Sequence, residues 1–371
     1  MCSTMTAIVV DGPDQTMSVE RIPVPRPLRG EVLIRVAACG ACHTDLHVMR
    51  GEYAFPYPCV LGHEVAGQVV ELGEGVDHLA VDDRVVASFV MPCGMCGPCA
   101  RGDDNLCERF FGLNRARGVL YDGTTRLRRS GGEELAMFSA AGLAEYSVIP
   151  ATSVFRVPDS VPLESASILG CSLLTAYGAA RHAADLRAGQ TVAVVAAGGV
   201  GLGIIQLAKI FGASRIIAID IGPDKLETAS RLDASEVIDV SDRDPVGRVR
   251  ELTSGKGVDV AFEALGTPRT LEQAFMMTAD GGTTVLVGVG SGDAAASIPL
   301  THLLRHQVRI IGSYGGRPRT DMPLLLDMAA SEQFDLDSNI SLRRPLTEAE
   351  SVYSALAAGS ITGRAILTSV S

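Results

Sequence analysis

The chain has 371 residues, 47% of them hydrophobic and 20% charged, which is ordinary globular usage and enough length for about two domains. A formal net charge of −11 argues against nucleic acid or an anionic membrane surface as the main partner, because both favour clustered lysine and arginine. The one dense basic run, Arg126 to Arg129, is short, lies in a Gly-rich stretch and reads as a solvated loop.

Along the first third, short alternating apolar runs at 31–37, 65–71 and 84–89 read as strands, and Pro23, Pro25 and Pro27 as a stiff connector. Gly, Asp and Pro recur between the runs, so an irregular, β-rich domain with few helices is expected. Next comes Cys93-Gly-Met-Cys96-Gly-Pro-Cys99, followed after a gap by Cys107. Two-residue gaps with interleaved Gly and Pro let the backbone bring successive sulfurs onto one tetrahedral zinc about 2.3 Å away. Four thiolates leave no open position, so this zinc holds structure. Nine cysteines with four of them spaced as thiolate ligands imply a reducing compartment, by default the cytoplasm. The N-terminus lacks the basic segment and apolar core of a secretory signal.

From about Cys171 strands and helices alternate: strand 191–196, helix 200–211, strand 215–220, helix 223–232, then strands at 237–239, 258–262 and 283–287. Repeated βα units imply a parallel sheet covered by helices on both faces. The uncharged stretch 191–208 contains Gly198, Gly199, Gly201 and Gly203, which point to a turn and not to a membrane span. After the first strand, Ala196-Ala197-Gly198-Gly199-Val200-Gly201 opens a helix, and Asp220 ends the next strand. This is a Rossmann fingerprint with Ala196 in place of the usual first glycine, which requires a negative or mildly strained φ there. Gly198 lets the backbone approach a pyrophosphate, Gly201 lets the helix pack closely, and the helix N-terminus offers amides to phosphate. A carboxylate at Asp220 accepts ribose hydroxyls and repels a 2′-phosphate, which favours NAD(H). Beyond Gly315 the chain is irregular again, with helices near 322–330 and 348–358 and a terminal strand 365–369 expected to rejoin the first domain. The expected division is 1–172 with 315–371 against 173–314.

The remaining candidate metal ligands are Cys42 and His43, His63, and Cys171. Each has a bland reading alone, as a core thiol or a turn histidine. Beside a closed zinc knot and a nucleotide fold, the coherent set is Cys42, His63 and Cys171, two sulfurs and one imidazole with a fourth position open.

At this point the chain resembles a zinc-dependent alcohol dehydrogenase of the medium-chain dehydrogenase/reductase superfamily. Gly62-His63-Glu64-x2-Gly67-x5-Gly73-x2-Val76 matches that family's zinc signature throughout, and the likeness runs nearly end to end. Residues 117–126 resemble the longer loop of the dimeric, liver-type members. The resemblance implies an α/β protein: a GroES-like catalytic domain with two zinc ions per subunit, a Rossmann doubly wound sheet of order 3-2-1-4-5-6, and a homodimer. It implies Cys42, His63 and Cys171 on the catalytic zinc, Glu64 close behind the metal, and Asp45 orienting His63. Thr44 matches the hydroxyl that bonds the substrate oxygen, and His47 the base at the end of the proton relay. Cofactor positions are His43, Thr175, Gly198, Gly199, Val200, Gly201, Asp220, Lys225, Val287, Val289 and Arg364, with Arg364 on a pyrophosphate. Phe89, Tyr53 and Val289 match positions that line the substrate pocket. The implied reaction is reversible, NAD-linked oxidation of an alcohol to an aldehyde or ketone. Rival readings are a thiol-dependent formaldehyde dehydrogenase acting on an S-hydroxymethyl adduct, a non-catalytic zinc and nucleotide-binding protein, and an enzyme whose cofactor never exchanges.

Overall fold

Valine, leucine and isoleucine follow one another along 32–34, and the strand that holds them, Glu31–Ala41, is buried almost throughout. It lies inside a seven-stranded sheet, antiparallel to Glu64–Leu72 on one side and to Arg364–Thr368 on the other. The computed structural model describes residues 3–241, 244–290, 292 and 294–369. They divide into two units, one of 3–174, 317–332 and 340–369, the other of 175–316 and 333–339 apart from the undescribed positions.

In the first unit, a smaller five-stranded sheet holds Thr4–Val10 between Ser18–Pro23 and Cys59–Val60. The C-terminal segment returns to this unit: Arg364–Thr368 pairs with the central strand, while helices Pro318–Ala330 and Ala349–Ala357 belong to the same unit. Residues 333–339 do not return with it. The basic run differs from the solvated loop expected of it. The Arg126 side chain is only 6% exposed and its guanidinium meets Glu31 at 2.5 Å and Asp122 at 3.0 Å. Arg129 is held by Glu20, Asp11 and Glu133 at 2.6–2.7 Å, and Leu127–Arg128 is a short strand paired with Glu134–Met137. The carboxylates that receive this charge include Glu31, Glu20 and Asp11, far away in sequence, so local composition could not show them.

The second unit is a six-stranded parallel sheet in the order Glu236–Asp239, Arg215–Asp220, Thr191–Val195, Val258–Glu263, Thr278–Leu286, Arg309–Gly312. That is 3-2-1-4-5-6. Its core packs Ala193, Val195, Ile217 and Ile219 against Val249, Ala274 and Met277 from the covering helices. Apolar runs of this length are what a sheet buried on both faces needs. Among the described residues, no helix is long and apolar enough to cross a membrane.

Candidate active site and metal centres

Strand register explains why residues far apart in sequence meet at one end of the central sheet. Gly40 pairs with Glu64 across one strand boundary and Ala41 with Ala365 across the other. Cys42, the His63-Glu64 pair and Arg364 therefore leave the sheet together. Gly62 turns the chain into His63 with φ +94, a left-handed conformation that favours glycine, and a Cβ there would lie 2.8 Å from Cys39 Sγ. A Cβ on Gly40 would lie 2.2 Å from Glu64 Oε2, so this glycine makes the space for the carboxylate. Cys171 joins them from another element: it follows a 3-10 turn, Ser167–Gly170, whose Gly170 carbonyl accepts from Phe89 N at 2.9 Å.

Potential ligand atoms of Cys42, His63, Glu64 and Cys171 all lie within 4.8 Å of one another, and all four residues are buried. Neither Glu64 oxygen accepts a hydrogen bond, and the Arg364 guanidinium stands 3.1 Å from Oε1. A buried carboxylate, two sulfurs and an imidazole facing one point form a donor set suited to zinc, so the residues fit the ion. The Cys171 thiol donates to Cys42, and with Arg364 and His63 nearby it holds Cys42 well below the usual thiol range despite burial. The same hydrogen bond, together with burial, pushes Cys171 well above it. Burial opposes a charge on His63, but Asp45 and Cys42 outweigh it and raise the imidazole to about 10. Burial lifts Glu64 to about 7 against the pull of Arg364.

A measurable consequence follows for metal uptake. Near neutral pH Cys171 and His63 each hold a proton that a metal must displace. Zinc loading of the open site, in protein whose four-cysteine site is already filled, is expected to release about two protons, with affinity falling as pH falls. Calorimetry in buffers of different ionisation enthalpy measures this directly, and release of no protons would contradict the assigned protonation.

Asp45, fully buried, accepts from the His63 ring at Nδ1, 3.1 Å from Oδ1, and from the Gly62 amide at 3.3 Å. It is the third residue of a seven-residue helix, His43–Met49, that Cys42 begins, and the Cys42 amide donates to its Oδ2 at 3.4 Å. That helix is too short to show periodicity in sequence. Thr44 Oγ1 lies 3.6 Å from Cys42 Sγ. His47 is half-buried with Nδ1 2.5 Å from Glu52 Oε2, a partner that sequence reading missed although it lies five residues on. His43 is exposed. Arg364, expected on a pyrophosphate, is buried against Glu64, with Nη2 3.8 Å from Cys42 Sγ. Phe89 and Phe138 set ring edges against His63 at 6.0 and 5.9 Å, and Tyr53 packs on Phe138 at 6.1 Å.

Cys93, Cys96, Cys99 and Cys107 also converge within 4.8 Å, with Cys96 and Cys107 sulfurs 3.9 Å apart. The Cys93 amide donates to Cys107 Sγ at 3.2 Å and the Cys96 amide to Cys93 Sγ at 3.4 Å, contacts that stabilise thiolates. All described cysteines are free thiols, so the donor set fits a closed zinc site. Arg319 clamps the cluster from outside, its Nε donating to Asp104 Oδ1 at 2.8 Å and its Nη2 to the Cys99 carbonyl.

In the second unit, Gly198 caps the helix Gly199–Ile210 and a Cβ built there meets nothing within 4 Å. A Cβ on Gly201 would lie 2.0 Å from the Ala196 carbonyl, so only glycine allows this helix to approach the strand so closely. Open backbone at a helix N-terminus fits a pyrophosphate. Ala196 has φ +76, so the left-handed turn of the fingerprint is kept without glycine, at a cost of about 1–2 kcal/mol. Of the two alternatives expected for Ala196, a negative φ or mild strain, the structure has the strained one. Asp220 accepts from the amides of Ala197 at 2.7 Å, Ile221 at 2.8 Å and Gly222 at 3.2 Å, and Lys225 Nζ lies 3.9 Å from its Oδ1. Three amides leave about one of its four acceptor positions open. Val287 is buried, its amide donating to the Glu263 carbonyl at 2.8 Å, while Val289 is exposed and Thr175 half-buried.

A GroES-like unit with two cysteine-rich clusters and a separate nucleotide-binding sheet defines a class, the metal-dependent oxidoreductases of medium chain length. Comparison with known proteins narrows it. Residues 28–159 match the alcohol dehydrogenase GroES-like domain and residues 199–331 the zinc-binding dehydrogenase domain. Alcohol dehydrogenase-like 4 of Arabidopsis thaliana is 35% identical over 350 residues, 92% of each chain. An alcohol dehydrogenase zinc-binding domain protein from Burkholderia ambifaria is similar with a TM-score of 0.93 and 35% identity over 98% of each chain. Benzyl alcohol dehydrogenase from Acinetobacter calcoaceticus is similar with a TM-score of 0.93 and 30% identity over 100% of each chain. The chain belongs to the zinc-binding alcohol dehydrogenase family.

Proposed function

We propose that this protein is a zinc-dependent, NAD-linked alcohol dehydrogenase that interconverts an alcohol with its aldehyde or ketone. The observation that carries the reading is the buried meeting of Cys42, His63 and Cys171 beside Glu64, whose oxygens accept no hydrogen bond. Zinc held by the two cysteines and the histidine would supply Lewis acidity, which stabilises an alcohol oxygen as its anion. A nicotinamide on the second unit would accept the hydride. The chain's own residues supply the rest. Asp45 fixes the His63 ring through Nδ1. Arg364 balances the negative charge of Glu64 and Cys42, so the site is not over-supplied with anions. Thr44 and His47 are three apart on one short helix and so share a face. Thr44 takes the hydrogen bond of the substrate hydroxyl, and His47, paired with Glu52, takes the proton onward to solvent.

Asp220 supports NAD over NADP because a carboxylate fixed by three amides at the end of the second strand of the sheet would accept ribose hydroxyls and repel a 2′-phosphate. Asp220→Gly is expected to raise the ratio of kcat/KM for NADP over NAD by about tenfold or more, since losing a like charge is worth a kcal/mol or more. Paired steady-state assays with the two cofactors check this, and an unchanged ratio would remove Asp220 from cofactor choice.

The aromatic edges around His63 and the likeness to benzyl alcohol dehydrogenase favour an alcohol with a compact apolar or aromatic body. We read residues 117–126 as the long loop of the liver-type subgroup and the protein as a homodimer. Strand Arg309–Gly312 ends the parallel sheet with exposed side chains, and helix Leu300–His306 buries none of its residues, leaving Leu300 and Leu304 each 77% exposed. An open sheet edge beside exposed leucines suits a second copy. Two zinc ions per chain and turnover of aliphatic, aromatic, secondary or thiol-adduct alcohols with NAD test the reading together. A single zinc, or no NAD reduction by any of them, would refute it.

A further inference from the structure

Asp45 carries more than the sequence suggests. Its Oδ1 faces His63 and the Gly62 amide, while Oδ2 receives the Cys42 amide and, at 2.8 Å, the hydroxyl of Tyr353. The tyrosine bond is the shortest of the four that these groups make to the carboxylate. Tyr353 comes from helix Ala349–Ala357, more than three hundred positions along the chain, and is 1% exposed. Burial and the Asp45 charge push its phenol well above the usual range, so it stays protonated and donates. A carboxylate that shares its charge between a phenol and an imidazole is fixed in its plane and draws less on the imidazole than one facing the ring alone.

We propose that Tyr353 is a positioning residue of the open metal site: by donating to Asp45 Oδ2 it fixes the carboxylate that orients His63, and so sets how tightly that site retains zinc. The inference rests on Cys42, His63 and Cys171 being the ligands, as proposed above. A residue one hydrogen bond beyond the group that orients a ligand acts at the lower end of the range known for such groups, about tenfold in metal retention. Phe keeps the ring in its packing and removes only the donor.

The test is zinc release from the full-length, zinc-loaded protein into excess chelator, with the four-cysteine site as an internal reference. Tyr353→Phe is expected to lose the open-site zinc about tenfold faster than wild type, with the four-cysteine zinc unchanged. Cobalt placed in the open site is expected to show a displaced d–d band. Because the effect passes through Asp45, Asp45→Asn combined with Tyr353→Phe is expected to release zinc no faster than Asp45→Asn alone. Equal loosening of both zinc ions, or release within twofold of wild type with an unchanged cobalt spectrum, overturns the proposal. Wild-type protein holding only the four-cysteine zinc overturns the ligand assignment beneath it, a result distinct from either.

Discussion

Cys171→Ala is expected to hold one zinc where the wild type holds two and to lose alcohol turnover by about a thousandfold or more, while NADH still binds. The magnitude follows from the several kcal/mol that a Lewis-acidic ion contributes when an alkoxide-like oxygen forms. The substitution takes away one of two sulfurs and also the thiol that donates to Cys42, so Cys42 is left to Arg364 and His63. Nothing needs to move to make room, because alanine is smaller than cysteine and the site is already lined by buried side chains. The parallel sheet and the glycine turn at 198–201 lie in the other unit, so cofactor affinity should be spared. Metal analysis, steady-state kinetics and NADH fluorescence titration check the three parts. Turnover persisting near the wild-type rate would remove Cys171 from the metal.

The second large effect is on stability. Cys99→Ser is expected to abolish zinc binding at the four-cysteine site and lower Tm by about 10 °C, with one zinc again remaining. Structural zinc contributes apparent binding free energies of order 10 kcal/mol in isolated zinc-finger peptides. Here Arg319 also grips Asp104 and the Cys99 carbonyl, which keeps part of the lobe in place and reduces the loss to a fraction of that figure. A loss of about 3–5 kcal/mol corresponds to roughly the stated shift for a domain of this size. Thermal unfolding with and without added zinc distinguishes the cases. A variant with unchanged Tm would show that the cluster is not structural.

What could be read from sequence was whatever depends on local spacing. The cysteine run, the glycine turn with its acid one strand later, and the alternation of strands and helices all state their geometry within some thirty residues. Cys42, His63 and Cys171 were legible only together, because no single one is distinctive. Pairings across the sheet were not legible. Nothing near Arg364 announces Glu64 or Cys42, and nothing near Tyr353 announces Asp45; the first contacts exist because the last strand docks beside Glu31–Ala41, the second because helix Ala349–Ala357 packs on helix His43–Met49. The same blindness hid the carboxylates around Arg126 and Arg129. Ala196 is a different case. Sequence rules favour a glycine for a left-handed residue, and the fold holds an alanine there instead, with the Ala196 amide donating to the Ile219 carbonyl at 2.9 Å.

The docking of the last strand has a consequence for biogenesis. Cys93 to Cys107 leave the ribosome long before Tyr353 and Arg364 are translated. The nascent polypeptide can therefore close its stabilising knot early, whereas the open metal site lacks its counter-charge and its tether until some two hundred and fifty further residues have been added.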